Sequence, residues 1–172
     1  MTGDSADIPA PTRHVAVPSS ASVSARMSRQ GRRDTVPELA LRRELHRLGL
    51  RYRVDHPLPG MPRRRADVVF TAVRLAVFVD GCFWHACPEH ATQPAANAPW
   101  WGEKLKANVA RDRDTDARLT EQGWCVLRFW EHADMRAAAD TVEDTWRRRR
   151  GDAGLSPSGS RSTPRAPAAP AP

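Results

Sequence analysis

A short run from Val79 to His90 combines residue types that can bind metals, move protons and stack on flat rings. It reads Val-Asp-Gly-Cys-Phe-Trp-His-Ala-Cys-Pro-Glu-His. Thiolates and imidazoles at this Cys-x4-Cys-x2-His spacing are the ligands that select zinc. Because a structural zinc takes four ligands, a fourth must come from elsewhere in the chain.

Two residues, Cys125 and His132, compete for that fourth position. Cys125 alternates with Leu127 and Phe129 along a strand candidate, where a core thiol is the expected role. His132 follows the strand and is free to turn toward a loop. We therefore expect a structural zinc, held by Cys82, Cys87, His90 and His132. The alternative is that these residues bind no metal.

Two aspartates form a second group. Asp67 precedes the strand formers of 68–70, although aspartate is disfavoured in strands, and Asp80 ends the next apolar run. If the two runs form a hairpin, the carboxylates lie close together and offer the oxygen ligands that Mg²⁺ prefers. For Asp67 alone, a turn or an ion pair is an equally good interpretation.

A third group follows one face of a helix candidate. Trp101, Leu105, Asn108 and Asp112 are spaced at i, i+4, i+7 and i+11. The polar pair continues an apolar stripe, so this face either points toward a site or is the solvated edge of the helix.

The elements that must position these residues alternate between helix and strand. Thr35 as N-cap, Pro37 in the first turn and Glu38 three residues after the cap predict a helix that ends at Gly49. We predict strands at 52–54, 66–70, 75–79 and 124–130, a turn at 57–62, and helices at 101–122 and 134–150. This order predicts an α/β fold, a single small domain with a mixed β-sheet flanked by helices.

Composition divides the chain into three segments. Residues 1–25 and 151–172 are rich in Pro, Ser and Ala and are expected to be disordered tails, which leaves a domain at 26–150. The net charge is +7 and the charges of the two tails cancel, so the excess lies in the domain. A polyanionic partner is the first interpretation, and a charge-rich surface the other.

Other features bear on the cellular location. The sequence has no apolar run of about 18 residues or secretory pattern, so we expect no membrane segment. Three cysteines argue against a disulfide framework and favour a cytoplasmic protein.

Several stretches together resemble the very-short-patch-repair DNA mismatch endonucleases, in that family's order from about residue 27 to 146. They are Arg33 to Glu38, Gly81 to His85, Trp101 to Asp114, and Gly123 to Leu127 with Trp130-Glu131. The resemblance implies a fold like that of the PD-(D/E)xK restriction endonucleases.

The resemblance also implies a function. The family nicks duplex DNA 5′ to the thymine of a T·G mismatch, which arises when 5-methylcytosine deaminates. A cytosine-5 DNA methyltransferase and mismatch-repair proteins are therefore the expected functional partners. We expect a monomer associated with the nucleoid through DNA. The alternatives are a restriction-type endonuclease on the same scaffold and a zinc-stabilised DNA-binding protein without catalysis.

The resemblance assigns the catalytic residues. Asp67 matches the main Mg²⁺-binding aspartate, with the Val79 carbonyl as a further ligand. His85 matches the catalytic histidine, and Glu38 the N-terminal glutamate. Asp80 stands where the best-known members carry histidine, so it is a candidate Mg²⁺ ligand, a residue that orients His85, or part of the turn.

The resemblance also assigns binding residues. Phe83, Trp84 and Trp101 match aromatics that wedge into DNA beside the mismatch, and the zinc ligands named above match the family's zinc site. The other expected DNA-binding residues are Asn108, Asp112, Arg32 and Arg33, with further phosphate contacts from Arg26, Arg29 and 63–65. Ala66 replaces the family's usual proline before the aspartate.

Overall fold

The computed structural model describes residues 33–90, 97–152 and 154. Its elements are α1 (Val36–Arg47), β1 (Arg53–Leu58), β2 (Met61–Phe70), a 3-10 turn (Thr71–Val73), β3 (Leu75–Asp80), α2 (Ala98–Glu121), β4 (Cys125–Trp130) and α3 (Met135–Asp152). The predicted order of helix, three strands, helix, strand and helix is confirmed. The predicted tail at 1–25 lies outside the described residues, as does nearly all of the tail at 151–172.

The four strands form one mixed sheet in the order β1-β2-β3-β4. β1 pairs antiparallel with β2, and β2 antiparallel with β3, so the predicted hairpin is confirmed. β3 and β4 are parallel, and α2 between them supplies the long crossover connection that parallel neighbours need. The structure therefore confirms the predicted α/β domain with a mixed sheet.

The first hairpin corrects the sequence prediction. The prediction placed a turn at 57–62, whereas β1 continues to Leu58 and β2 begins at Met61. Pro57 is accommodated because β1 is an edge strand, where a proline removes no hydrogen bond from the interior of the sheet. The turn is shorter than predicted and contains Gly60 at φ 70°, a left-handed conformation that suits glycine.

The helix boundaries follow the predicted capping residues closely. Thr35 caps α1, with its hydroxyl oxygen 3.5 Å from the backbone nitrogen of Glu38, and Gly49 takes φ 75° after the helix. α2 begins at Ala98, slightly before the predicted start, with a proline in its first turn. α3 continues to Asp152, just past its predicted end.

The apolar core is concentrated on the face of the sheet that α1 and α3 cover. This cluster includes the fully buried side chains of Leu41, Leu45, Leu75, Val77 and Val142. The opposite face has a smaller cluster around Ala76, Phe78 and Leu119. α2 covers it with 24 residues, of which Asn108, Thr115 and Leu119 are buried. The second face therefore has room for a polar site.

Among the described helices, none combines the length and hydropathy that a membrane span needs.

Candidate active site

A cavity of about 630 Å³ opens on the face that α2 covers. Residues from α1, β2, β3, α2, β4 and the loop after β3 line it. Among the predicted site residues that line it, Glu38, Asp67, His85 and Asp112 reach this one cavity from different elements. The fold thus brings together acids and a histidine that are far apart in the sequence.

Asp67 lies on β2 and is half-buried. Its Oδ2 accepts a hydrogen bond of 2.7 Å from the backbone N–H of Val79. Burial raises the pKa of Asp67 to about 7, the Val79 N–H opposes this shift, and the charges of Glu38 and Asp80 add to it. A carboxylate in such surroundings is stabilised by a nearby cation, and its hard oxygens fit Mg²⁺.

Glu38 lies at the start of α1 and is only 5% exposed. Its Oε1 accepts from the Thr35 hydroxyl at 2.9 Å, and its Oε2 accepts from the Asp34 backbone N–H at 2.9 Å and from Arg42 at 3.2 Å. These contacts make Glu38 part of the helix cap. Because the same side chain lines the cavity, its catalytic role stays a prediction beside this structural one.

His85 lies in the loop after β3 and is held by an aspartate of α2. Its Nδ1 is 2.6 Å from Oδ2 of Asp112 and 3.7 Å from Oδ1 of Asp80. Burial lowers the pKa of His85, but the hydrogen bond to Asp112 and the charge of Asp80 outweigh it and raise the pKa above its ordinary value. Since Nδ1 contacts Asp112, Nε2 is the nitrogen left for a partner in the cavity.

The polar face predicted on α2 points toward the site. Asn108 is buried, and its side-chain amide donates to the Trp84 carbonyl at 3.1 Å. Arg111 donates to the Asn108 side-chain oxygen at 3.0 Å. The solvated-edge alternative is therefore wrong for Asn108 and Asp112. Both side chains hold the loop after β3, and their direct contact with DNA stays a prediction.

Aromatic side chains pack together beside the cavity. The ring centroids of Phe83 and Trp84 are 5.0 Å apart, those of Phe83 and Trp101 are 5.3 Å apart, and those of Trp84 and Trp101 are 5.9 Å apart. All three rings are half-buried, so each keeps an exposed part. The expected wedge residues thus form one cluster, shared by the loop after β3 and the first turns of α2.

The predicted zinc ligands also converge. One ligand atom each from Cys82, Cys87, His90 and His132 lies within 4.8 Å of the others. Sγ of Cys82 is 3.0 Å from Nδ1 of His132, and Sγ of Cys87 is 3.9 Å from Nδ1 of His90. Two thiols and two imidazoles at this spacing fit a tetrahedral zinc. Cys125 packs instead against the apolar core, as expected for the residue not favoured as a ligand.

Arg128 is a site residue that the sequence analysis missed. It lies in the middle of β4 and lines the cavity. Its Nη1 donates to both oxygens of Asp80, at 2.8 and 3.1 Å, and its Nε lies 3.1 and 3.0 Å from the oxygens of Asp116. The signal available in the sequence is a charged residue inside the apolar run 125–130. Asp80 as a Mg²⁺ ligand stays a prediction.

Arginines surround the cavity, and several are paired with acids. Arg33 is exposed and contacts Asp34 and Asp55. Arg64 contacts Asp114 at 2.6 Å, and Arg65 contacts Asp55 at 2.7 Å. Arg63 lines the cavity. The other predicted phosphate-binding arginines, Arg26, Arg29 and Arg32, lie outside the described residues.

The comparisons with known proteins all point to the same family. A family model described as DNA mismatch endonuclease Vsr matches residues 16–90. The chain is 47% identical over 131 residues to the type II nicking enzyme V.NaeI of Lentzea aerocolonigenes. This match covers 74% of this chain and 78% of that protein. The chain is 36% identical over 124 residues to V.NmeDIP of Neisseria meningitidis serogroup C, also named a type II nicking enzyme, over 71% of this chain and 82% of that protein.

A further relative carries the family name itself. The chain is 43% identical over 103 residues to the DNA mismatch endonuclease Vsr of Escherichia coli K12. That match covers 59% of this chain and 64% of the Escherichia coli protein.

Proposed function

This chain belongs to the Vsr family of DNA mismatch endonucleases, and from that premise we propose that it nicks duplex DNA 5′ to the thymine of a T·G mismatch. One observation carries the proposal: the half-buried Asp67 and the hydrogen-bonded pair of His85 and Asp112 share one cavity. Hydrolysis of a phosphodiester needs a place for a cation and a group that accepts a proton, and these residues supply both.

In this proposal Asp67 and the backbone carbonyl of Val79 would hold Mg²⁺. The ion would supply positive charge against the scissile phosphate and increase the acidity of water. Asp67 suits this position because its half-buried carboxylate lacks a cationic hydrogen-bond partner among the described residues. Glu38 supports the site from the adjacent end of α1, where its hydrogen bonds to Thr35 and Asp34 fix its orientation.

His85 would take the proton of the attacking water. Its Nδ1 is hydrogen-bonded to Asp112, which fixes the ring orientation and leaves Nε2 as the accepting nitrogen. Asp112 also stabilises the imidazolium that forms when the proton arrives. The water attacks in line with the 3′ oxygen as the bond from phosphorus to that oxygen breaks. The 3′ oxygen takes a proton from solvent water and becomes a 3′-hydroxyl, and the other product end has a 5′-phosphate.

The Cys and His cluster would hold a structural zinc. Its ligands belong to the loop after β3 and to the residues that follow β4, so the ion would join the carboxyl ends of these two parallel strands. The donor set of two thiolates and two imidazoles leaves no open position for a substrate. The same loop carries Phe83, Trp84 and His85, so zinc binding would help to order residues proposed for recognition and for catalysis.

Mismatch recognition would rest on the aromatic cluster. Phe83, Trp84 and Trp101 are large, partly exposed rings beside the cavity. Inserting such rings into DNA requires unstacking, which costs a few kcal/mol and is least costly at a mispaired step. Arg33 and Arg63 at the surface supply charge for phosphate contacts.

The biological setting in this proposal is very short patch repair. T·G pairs come from deaminated 5-methylcytosine, so a cytosine-5 DNA methyltransferase and mismatch-repair proteins would be the functional partners. The restriction-endonuclease-like fold that the resemblance implies agrees with the mixed sheet, in which Asp67 lies on the central hairpin.

The test uses a T·G duplex and its T·A counterpart, each labelled on one strand at a time. We expect a Mg²⁺-dependent nick in the T strand of the T·G duplex and a much slower reaction on T·A. The second candidate is an endonuclease that cuts matched sequences. It is retained because two relatives are named type II nicking enzymes and not mismatch endonucleases. Equal cutting of both duplexes, or cutting of both strands, would favour that candidate.

A further inference from the structure

Arg128 occupies an unusual position for a charged residue. It lies in β4 on the same face as Phe78, and its guanidinium carbon is 4.3 Å from the centre of the Phe78 ring. Its side chain is 21% exposed. A guanidinium that is largely removed from water needs partners for its donors, and the described residues provide them in the form of carboxylates.

These partners are the carboxylates that surround His85. Nη1 of Arg128 contacts both oxygens of Asp80, and Nη2 lies 3.9 Å from Oδ1 of Asp112. Asp80 and Asp112 are the two acids next to Nδ1 of His85, at 3.7 and 2.6 Å. Arg128 and His85 therefore share the same pair of carboxylates.

Arg128 also connects α2 to the sheet. Asp112 and Asp116 are one turn apart on α2, and Asp116 accepts hydrogen bonds from both Nε and Nη2 of Arg128. Because α2 buries few apolar residues, its position over the sheet depends strongly on polar contacts of this kind. Without the guanidinium, the carboxylates of Asp80, Asp112 and Asp116 would repel one another.

We propose that Arg128 is a positioning residue, which places the carboxylates of Asp80 and Asp112 so that His85 presents Nε2 to the scissile phosphate. The proposal rests on the proposed nuclease function, and it gives Asp80 a role as the link between Arg128 and the histidine loop. Arg128 touches neither the substrate nor the reacting atoms in this account. Its effect is therefore on the rate of the chemical step and not on the binding of DNA.

The kinetic test compares Arg128→Met and Arg128→Lys with wild type. We expect Arg128→Met to lower the single-turnover nicking rate about 30-fold or more, with the Kd for the duplex within about twofold of wild type. Arg128→Lys retains the charge but cannot bridge two carboxylates with a planar fork, so it should recover only part of the rate. Arg147→Met, which removes an exposed ion pair on α3, is the control and should match wild type.

Two further measurements separate positioning from general loss of structure. If Arg128 acts through the contact between His85 and Asp112, Arg128→Met should lower the nicking rate by a much smaller factor in Asp112→Asn than in wild type. The reason is that Asp112→Asn has already lost the carboxylate that holds His85. In NMR spectra, the ring resonances of His85, assigned through His85→Gln, should shift in Arg128→Met as they do in Asp112→Asn. If Arg128→Met does not fold, Arg128→Lys carries both tests.

The outcomes are distinct. The positioning role would be overturned if the His85 resonances do not change in Arg128→Met. It would also be overturned if the two substitutions lower the nicking rate by independent factors in the double variant, or if Arg128→Met weakens only the affinity for the duplex. A wild-type protein that nicks no mispaired duplex would overturn the proposed function instead, while the NMR comparison would still decide whether Arg128 positions His85.

Discussion

The two faces of the sheet are built in different ways. On one face, α1 and α3 bury apolar side chains such as Leu41, Leu45 and Val142 against the strands. On the other, α2 is held over the sheet by Leu119 and by arginine contacts from β2 and β4. The first face removes more apolar area from water, which is the main source of folding free energy.

The difference separates stability from chemistry. A closely packed apolar face has no room for substrate and no reason to hold charges, whereas the second face has a cavity and acids with perturbed pKa values. Buried charges are costly unless they are paired, so this face is stabilised by ion pairs and, in our proposal, by metal ions. Variants on the two faces should therefore have opposite consequences for stability and activity.

The largest expected effect comes from the proposed zinc site, which lies on neither face but at the carboxyl ends of β3 and β4. Cys87→Ala removes a buried ligand, and structural zinc contributes roughly 10 kcal/mol or more to folding in small zinc domains. We expect loss of bound zinc and a melting temperature lowered by more than about 10 °C. Zinc content measured by mass spectrometry and calorimetric melting test this.

Cys125→Ala is the matched control, because Cys125 packs against the apolar core and is not one of the four proposed zinc ligands. It should retain full zinc occupancy. Full zinc occupancy and unchanged melting in Cys87→Ala would remove Cys87 from the ligand set.

The apolar face should respond in stability alone. Leu41 is completely buried, so Leu41→Ala should lower the free energy of unfolding by about 2–5 kcal/mol through lost burial and a cavity. The nicking rate of the folded fraction should stay near wild type. Leu39→Ala, at an exposed position of the same helix, is the control and should change neither quantity. If Leu41→Ala lowers the nicking rate of the folded fraction as strongly as it lowers stability, the assignment of stability to one face and chemistry to the other would be contradicted.

Asp67, the proposed Mg²⁺ ligand on the second face, should show the opposite behaviour. The pKa of Asp67 is about 7 in the folded protein, above that of an unfolded aspartate. Between about pH 4 and pH 7 the folded carboxyl still holds its proton while the unfolded one has lost it, so folding stability falls as pH rises through this range. Asp67→Asn avoids this loss and should be more stable than wild type at pH 8, by at most about 4 kcal/mol.

Melting without added Mg²⁺ at pH 5 and pH 8 measures this effect. The advantage of Asp67→Asn should be larger at pH 8 and should shrink when Mg²⁺ is added, because the ion stabilises only the wild-type carboxylate. Asp144→Asn, an exposed change on α3, is the control. A variant less stable than wild type at pH 8 would contradict the account of Asp67.

The smallest expected effect concerns recognition. Trp84→Ala removes one ring of the aromatic cluster, and we expect the ratio of T·G to T·A nicking to fall about tenfold, the loss of roughly 1–3 kcal/mol of stacking. Trp84→Phe keeps a ring and should retain most of the preference. Zinc content should stay at the wild-type level in both, and a parallel loss of zinc would contradict the wedge assignment.

The sequence predicted local features well. The cap of α1, the turn glycine Gly49 and the convergence of Cys82, Cys87 and His90 depend on residues close together in the chain, where spacing and side-chain chemistry determine geometry. His132 lies beside these three residues, as expected for a residue that follows a strand, and its role as a zinc ligand stays a prediction. The resemblance to the Vsr family is also confirmed by the comparisons.

The remaining features depend on tertiary contacts. The hydrogen bond between His85 and Asp112 joins residues 27 positions apart, and the contact between Arg128 and Asp80 joins residues 48 apart. No local pattern predicts that the turn of α2 that contains Asp112 lies beside His85. The extension of β1 through Pro57 was missed because a proline is a poor strand residue except at an edge, and edges are defined only by the assembled sheet.

The most direct test of the central claim is the single-turnover nicking rate of a T·G duplex at increasing Mg²⁺ concentration, measured for wild type and Asp67→Asn with zinc content determined in both. The account predicts a wild-type rate that rises to a plateau with Mg²⁺, and a variant that binds the duplex and retains its zinc but gives no detectable nick. Nicking by Asp67→Asn at the wild-type rate, or wild-type nicking that needs no divalent cation, would contradict it.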